Sequence, residues 1–379
     1  MNTAVLNSLT WCEISSKNLK NNLSVLKGLI GKNVSFLSVI KANAYGHGLL
    51  KVAHILEPDV DFFGVHSAQE AYTLLKSGID KQILILGPVF KEQFAMLNPA
   101  RVHLTCSTME LIDDLHKNGF SFPLHIKVET GTHRQGFPPE KIEKVLKKIK
   151  KYGLPLVGLS THFANIEDTI DHSYAKRQLK KYLEIKEIVE NCVGKLQFYH
   201  TACSAAILLF PETHFNLARA GISLYGYWPS REVKLSFKIK YGEDGPKLKP
   251  VLSWKTYITE VKEVEKGEYI GYGCTFKTTR KSKIAVLPIG YYDGYDRKLS
   301  NKGVVLVRGQ RAPVVGRICM NLTMIDVTDI EGVKVQDLVY LIGEDGEESV
   351  SADTLAELAQ TINYEVLSRI SPHIPRIVV

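Results

Sequence analysis

The chain has 379 residues, 45% of them hydrophobic and 23% charged, with a formal net charge of +8. That balance excludes disorder as the main state, and the length exceeds what one core usually serves, so two domains are expected. There is no long Lys/Arg run interleaved with aromatics, and no stretch approaches the roughly 18 apolar residues of a membrane helix, which argues against nucleic acid and membrane partners. The N-terminal MNTAVLNSLTWCEI lacks a basic segment leading into an apolar one, and the six cysteines show neither a CxxC pair nor metal-ligand spacing. A chain of the reducing cytoplasm, without a metal, is the expectation.

Short apolar, β-prone runs recur at 34–40, 61–65, 82–86, 102–105, 124–129, 156–161, 197–200 and 217–224. Between them, segments such as 68–78, 107–119 and 139–153 carry helical periodicity, and several open on Ser or Pro and end in Gly. Strand and helix alternating through eight runs predict an α/β fold of the (β/α)8 TIM-barrel type over residues 1–235. The basic stretch 144–151 reads as the solvated face of an outer helix, because Ile142, Val145, Leu146 and Ile149 recur at helical spacing. The polar segment 241–250 reads as a linker. Beyond it, 254–276, 283–290, 303–316 and 323–329 are β-branched and turn-punctuated, so a mainly-β C-terminal domain is expected over 236–379, with one helix at 356–370. The first ten or so residues could join that second domain.

In a parallel barrel the C-terminal strand ends are the working face. Lys41 ends the first run and precedes the Gly-punctuated ANAYGHG; Lys127 and Glu129 lead into Arg134; His162, His200 with Ser204, and Arg219 before Gly221 follow. Singly, these read as a rim lysine, a satisfied core histidine, a helix cap and a turn glycine. Together they suggest chemistry. A lysine at a strand end can be desolvated and form a Schiff base. Ser204, opening the apolar run SAAILLF, and the backbone N–H groups around Gly221 and Ile222 could cradle an anion. A Schiff-base lysine beside a phosphate cradle points to pyridoxal phosphate.

VIKANAYGHG resembles the pyridoxal-phosphate signature of the alanine racemases. HIKVETGTHRQGF, LSTHFAN, HTACSAA, RAGISLYG, GYGCTF, PIGYYDGYDR, VGRICMN and TINYEVLSRI are similar to further segments of that family, in its order and over nearly the whole chain. The resemblance implies racemisation of L- and D-alanine by two acid/bases, with Lys41 carrying pyridoxal 5'-phosphate and Tyr272 opposite it. It further implies a hydrogen-bonded chain from that tyrosine through His162 to Arg219, which faces the cofactor's pyridine nitrogen. Arg134 and the Met320 backbone would meet the substrate carboxylate. Tyr45, Ser204, Gly221, Ile222 and Tyr364 would hold the phosphate, and Lys127 corresponds to a lysine often carbamylated. A head-to-tail homodimer with shared sites, supplying D-alanine for peptidoglycan, completes the expectation.

Four departures qualify it. Cys203, Asn321, Glu129 and His133 stand where the family has Asn, Asp, Asp and a small residue. None removes a catalytic group, but Asn321 removes a charge near the substrate carboxylate and leaves a serine or broad-specificity racemase as an alternative. A non-catalytic pyridoxal-phosphate-binding protein would resemble the barrel alone.

Overall fold

The computed structural model describes residues 8–379; the segment 1–7, part of the N-terminal reading above, lies outside the described residues. The described residues divide into two compact units, one of 19–42 and 52–249, the other of 8–18, 43–51 and 250–379.

The first unit is built on eight parallel strands, Ser35–Val39, Phe62–Val65, Gln82–Ile85, Val102–Cys106, Leu124–Lys127, Leu156–Ser160, Phe198–His200 and Leu217–Ala220. We number these first to eighth. Each pairs in parallel with the next from first to seventh, and the eighth pairs with the first. Between seventh and eighth there is no ladder; the gap is bridged where the Arg219 N–H donates to the Ala202 carbonyl at 3.3 Å and the Tyr199 N–H to Asn216 Oδ1 at 2.7 Å. The strands read as unbroken apolar runs because they are buried on both faces, the second, fourth, seventh and eighth at every residue. The run 217–224 stops as a strand at Ala220, where Gly221 leaves extended geometry and Ile222–Tyr225 turns into a 3-10 helix.

Outer helices follow from capping and periodicity. Helix Ala68–Lys76 begins on a reciprocal capping box between Ser67 and Glu70. Helix Ile142–Lys151 buries Ile142, Val145, Leu146 and Ile149, and its lysines face solvent or lie half-buried, as the spacing predicts.

The second unit is mainly β. Its main sheet orders Gln310–Pro313, Val304–Val307, Leu338–Asp345, Leu252–Tyr257, Thr10–Ile14 and Arg376–Val378, so a strand from near the N-terminus is paired inside it. A three-stranded sheet joins Glu260–Val264, Ser282–Leu287 and Thr323–Asp326, and a small hairpin pairs Tyr269–Ile270 with Phe276–Lys277. The single helix expected over 356–370 is instead two, Ala352–Ala359 and Asn363–Ser368. The break lies at Gln360, which takes the left-handed conformation (φ 55°) and ends the first helix as a glycine would.

Candidate active site

The barrel's strand ends gather most of the predicted residues. Lys41 follows the first strand, and its backbone neighbour is fixed from the side: the Ala42 N–H donates to Glu70 Oε1 at 2.7 Å, while Glu70 Oε2 takes the His66 N–H at 2.7 Å. From Ala42 to Tyr45 the turn Lys41–Tyr45 is helical but left-handed, with φ of 54°, 55°, 54° and 51°. Such a conformation costs an L-residue about 1–2 kcal/mol, and a run of four is strain held by its surroundings next to the candidate nucleophile. Those surroundings include the Asn43 side chain, which accepts from the Leu49 N–H at 2.9 Å, and the His47 ring, whose Nδ1 donates to the Tyr45 carbonyl at 2.9 Å.

The cluster is cationic. Burial, then the nearby Arg134, pull the Lys41 amine below its ordinary value, with Glu70 opposing. Lys127 is pulled down to about 8, by burial first and then by Arg219, Arg134 and Lys41; its Nζ donates to Gln135 Oε1 at 3.1 Å. An amine so placed is partly neutral, and therefore nucleophilic, near physiological pH. Arg219 is buried. One terminal nitrogen donates to His200 Nδ1 and to the His200 carbonyl, both at 2.7 Å, and the other to the Thr161 and Thr201 carbonyls at 2.9 and 3.0 Å. That second nitrogen also faces His162 Nδ1 at 3.5 Å. Among the described residues no carboxylate pairs with Arg219, and no hydrogen bond uses its Nε–H. His162 is half-buried, and burial together with Arg219 keeps its ring neutral.

Arg134 is exposed, in a turn organised by Glu129. One carboxylate oxygen accepts from the Gly131 and Thr132 N–H groups, each at 2.6 Å. Burial would raise this carboxyl, but hydrogen bonds from the His133, Gly131, Thr132 and Arg134 backbone hold it below the ordinary range. His133, which stands where the family has a small residue, sits in the left-handed region at φ 53°. Ser204 opens the helix Ser204–Leu209, but the cap is Cys203, whose thiol makes no capping bond. The Ser204 hydroxyl instead accepts from the Gly221 and Ser223 N–H groups at 3.0 and 3.4 Å, which brings it to the backbone expected to bind an anion.

Tyr45, Tyr272, Met320 and Tyr364 belong to the other unit. There the Tyr45 and Tyr364 rings pack 6.1 Å apart. Tyr272 is 71% exposed in the turn of the small hairpin, between Gly271 and Gly273 at φ 72° and 71°. A Cβ on Gly273 would lie 2.9 Å from the mobile end of the Arg317 side chain, so it is the left-handed backbone that favours glycine in this turn. The Met320 carbonyl accepts from the Tyr292 N–H at 3.0 Å, and its side chain is 55% exposed. Glu70, Gln135, His125 and His103 were not among the candidates; Glu70 alone carried a signal, as the partner of Ser67 in a capping box.

A (β/α)8 barrel with a desolvated lysine, a buried guanidinium that no carboxylate among the described residues pairs with, and converging N–H donors at its strand ends defines an enzyme suited to an anionic carbonyl cofactor. Comparison with known proteins gives the family. Residues 14–229 match the sequence model for the alanine racemase N-terminal domain and 251–378 that for the C-terminal domain. The chain is 40% identical to the alanine racemase of Leptospira interrogans, covering 98% of this chain and 96% of the relative. The solved alanine racemase of Clostridium difficile 630 superposes with a TM-score of 0.90 at 35% identity, over 98% and 96% of the two chains. That of Bacillus anthracis with bound L-Ala-P superposes with 0.91 at 35%, over 98% and 95%. The chain belongs to the alanine racemase family, whose members are pyridoxal-phosphate-dependent isomerases of amino acids.

Proposed function

We propose that this chain interconverts L- and D-alanine with pyridoxal phosphate held on Lys41, the proton being exchanged by Tyr272 on the L side of Cα and by Lys41 on the D side. Arg219 is the observation that carries this reading. A guanidinium donates and never accepts, so an Nε–H with no protein partner suits a ring nitrogen that stays unprotonated. That tempers electron withdrawal and favours prompt return of the proton over longer-lived chemistry. The cofactor, when bound, supplies an electron-withdrawing ring that makes the substrate Cα–H acidic. The residues fit it: a depressed amine at Lys41, donors at Ser204, Gly221 and Ile222 for the phosphate, with Tyr45 and Tyr364 assigned to the same shell, and a cationic surround for its negative charge. Arg134 and the Met320 N–H are assigned to the substrate carboxylate. Carbamylation of Lys127 would turn one cation of the cluster into an anion beside Arg134, and an amine near 8 is suited to it.

Tyr272, Tyr292, Met320 and Leu322 are large apolar side chains 45–71% exposed in the single chain, which supports a homodimer in which each copy lends Tyr272 to the other. The six cysteines are all free, and among the described residues no helix is long and apolar enough to cross a membrane. We infer a cytoplasmic enzyme whose D-alanine feeds peptidoglycan, the use the family resemblance implies. The match of 251–378 to the family's second domain argues against a barrel-only cofactor carrier. Asn321, exposed beside Met320, is what favours the broader-specificity reading.

The test is α-proton exchange and racemisation measured across L-amino acids. Alanine is expected to lead; serine or another amino acid leading would shift the reading, and cofactor absorbance without exchange on any amino acid would sink it. A second expectation concerns Glu129. Glu129→Ala frees the N–H groups of the Arg134 turn, so KM for alanine should rise roughly tenfold with a smaller fall in kcat. An unchanged KM would separate the turn from substrate binding.

A further inference from the structure

We infer that His200, His125 and His103 form one directional hydrogen-bonded chain through the barrel interior that holds Arg219 and relieves its buried charge, making two histidines remote from the strand-end cluster positioning residues for the reaction. The effect on the reaction rests on the function proposed above; the chain itself does not.

The geometry is continuous. Arg219 meets His200 Nδ1 at 2.7 Å, His200 Nε2 meets His125 Nδ1 at 2.8 Å, and His125 Nε2 meets His103 Nδ1 at 2.9 Å. Because the guanidinium can only donate, His200 Nδ1 must accept, which places the His200 proton on Nε2. The same step repeats at His125 and again at His103. One cation thus dictates three tautomers, and each ring is neutral, since an imidazolium would turn an N–H toward another donor. The dipoles all align with Arg219, which with four carbonyl and imidazole acceptors takes the place of the carboxylate a buried guanidinium usually has.

The barrel is shaped for this chain. His103, His125, His200 and Arg219 come from the fourth, fifth, seventh and eighth strands, so the link from His125 to His200 must cross the sixth. It crosses at Gly158, the register partner of His125, where an added Cβ would lie 2.2 Å from His125 Nδ1. Phe198 stacks on the His125 ring, with centroids 5.5 Å apart, and Phe62 meets His103 edge-on at 5.3 Å. Nothing in the strand-end chemistry requires a glycine inside the sixth strand; the imidazole above it does.

The experiment uses holoenzyme labelled with 15N-histidine. Long-range 1H–15N spectra, assigned by single substitutions, should show His103, His125 and His200 all neutral with the proton on Nε2; an Nδ1–H ring or an imidazolium among them at pH 7 overturns the chain. Kinetics then test positioning. His125→Leu and Gly158→Ala should each lower kcat in both directions roughly tenfold with KM changed less than about twofold, and both should move the ring-nitrogen shift of 15N-labelled cofactor. His125→Gln, whose Oε1 can accept from His200 and whose amide can donate to His103, should recover most of the loss. His103→Leu, at the far end, keeps the test open if the others fail to fold; it should cost about threefold. Wild-type kcat in foldable His125→Leu, or no rescue by glutamine, overturns the positioning role. A wild-type protein that does not racemise alanine would sink the proposed function and leave the tautomer result standing.

Discussion

Tyr272→Phe is expected to keep the visible absorbance of bound cofactor and to lose racemisation by roughly 10²–10⁴-fold, whereas Lys41→Ala loses both, the rate by at least roughly 10⁴-fold. The two differ because only the lysine is both anchor and acid/base. The enantiomers have equal free energy, so kcat/KM must fall equally in both directions for either variant. The asymmetry therefore has to be sought in α-proton exchange. With Tyr272 replaced, Lys41 can still remove and return the hydrogen of D-alanine, so D-alanine should continue to exchange with D₂O without inverting while L-alanine stops. Exchange lost from both enantiomers alike would contradict the assignment of faces. Mixing Tyr272→Phe with Lys41→Ala adds the quaternary test: if each copy lends its tyrosine to the other, heterodimers hold one site carrying both lesions and one intact site, and activity should reappear. Silence from a demonstrated heterodimer would place both groups in one chain.

The barrel was legible because parallel strands buried on both faces leave short apolar runs, and the strand-end polar residues stand out against them. Ser35–Val39 and Leu217–Ala220 both appear within the runs read from the sequence; Lys41 lies where the first run meets polar residues, and Arg219 is the one charged residue inside the last. What could not be read depends on geometry that period and composition do not encode. The break at Gln360 needs a left-handed residue that is neither Gly nor Asn, and the left-handed turn from Ala42 to Tyr45 contains no glycine at all. His103 and His125 look like ordinary core histidines on their own strands. Their meaning comes from the register that sets His125 against Gly158, and so opposite His200 across the sixth strand. Glu70 likewise looks like half of a capping box, yet its other oxygen holds the Ala42 N–H beside Lys41.

The same buried imidazoles should make the barrel acid-sensitive well above the carboxylate range. Burial pushes His103 down to about 4, and His125 and His200 well below the ordinary histidine value; the groups facing them are one another, Arg219 and Lys127, with no carboxylate among the described residues to hold a proton. Folded values below the unfolded one, near 6.5, mean that at neutral pH the rings cost nothing. As pH falls through that value the unfolded chain binds protons that the native barrel refuses. Each ring then removes stability as pH falls, for His103 down to about 4. At pH 5.5 the barrel should therefore be measurably less stable than at pH 7.5, while carboxylates with ordinary values near 4 are still ionised. Native-state hydrogen exchange of the barrel-strand amides at pH 7.5 and 5.5 measures this directly. The difference should shrink in His125→Gln, which removes one titrating ring while keeping a donor and an acceptor in its place. Equal protection at the two pH values would mean that the rings accept protons inside the barrel, which the alignment of all three tautomers toward Arg219 forbids.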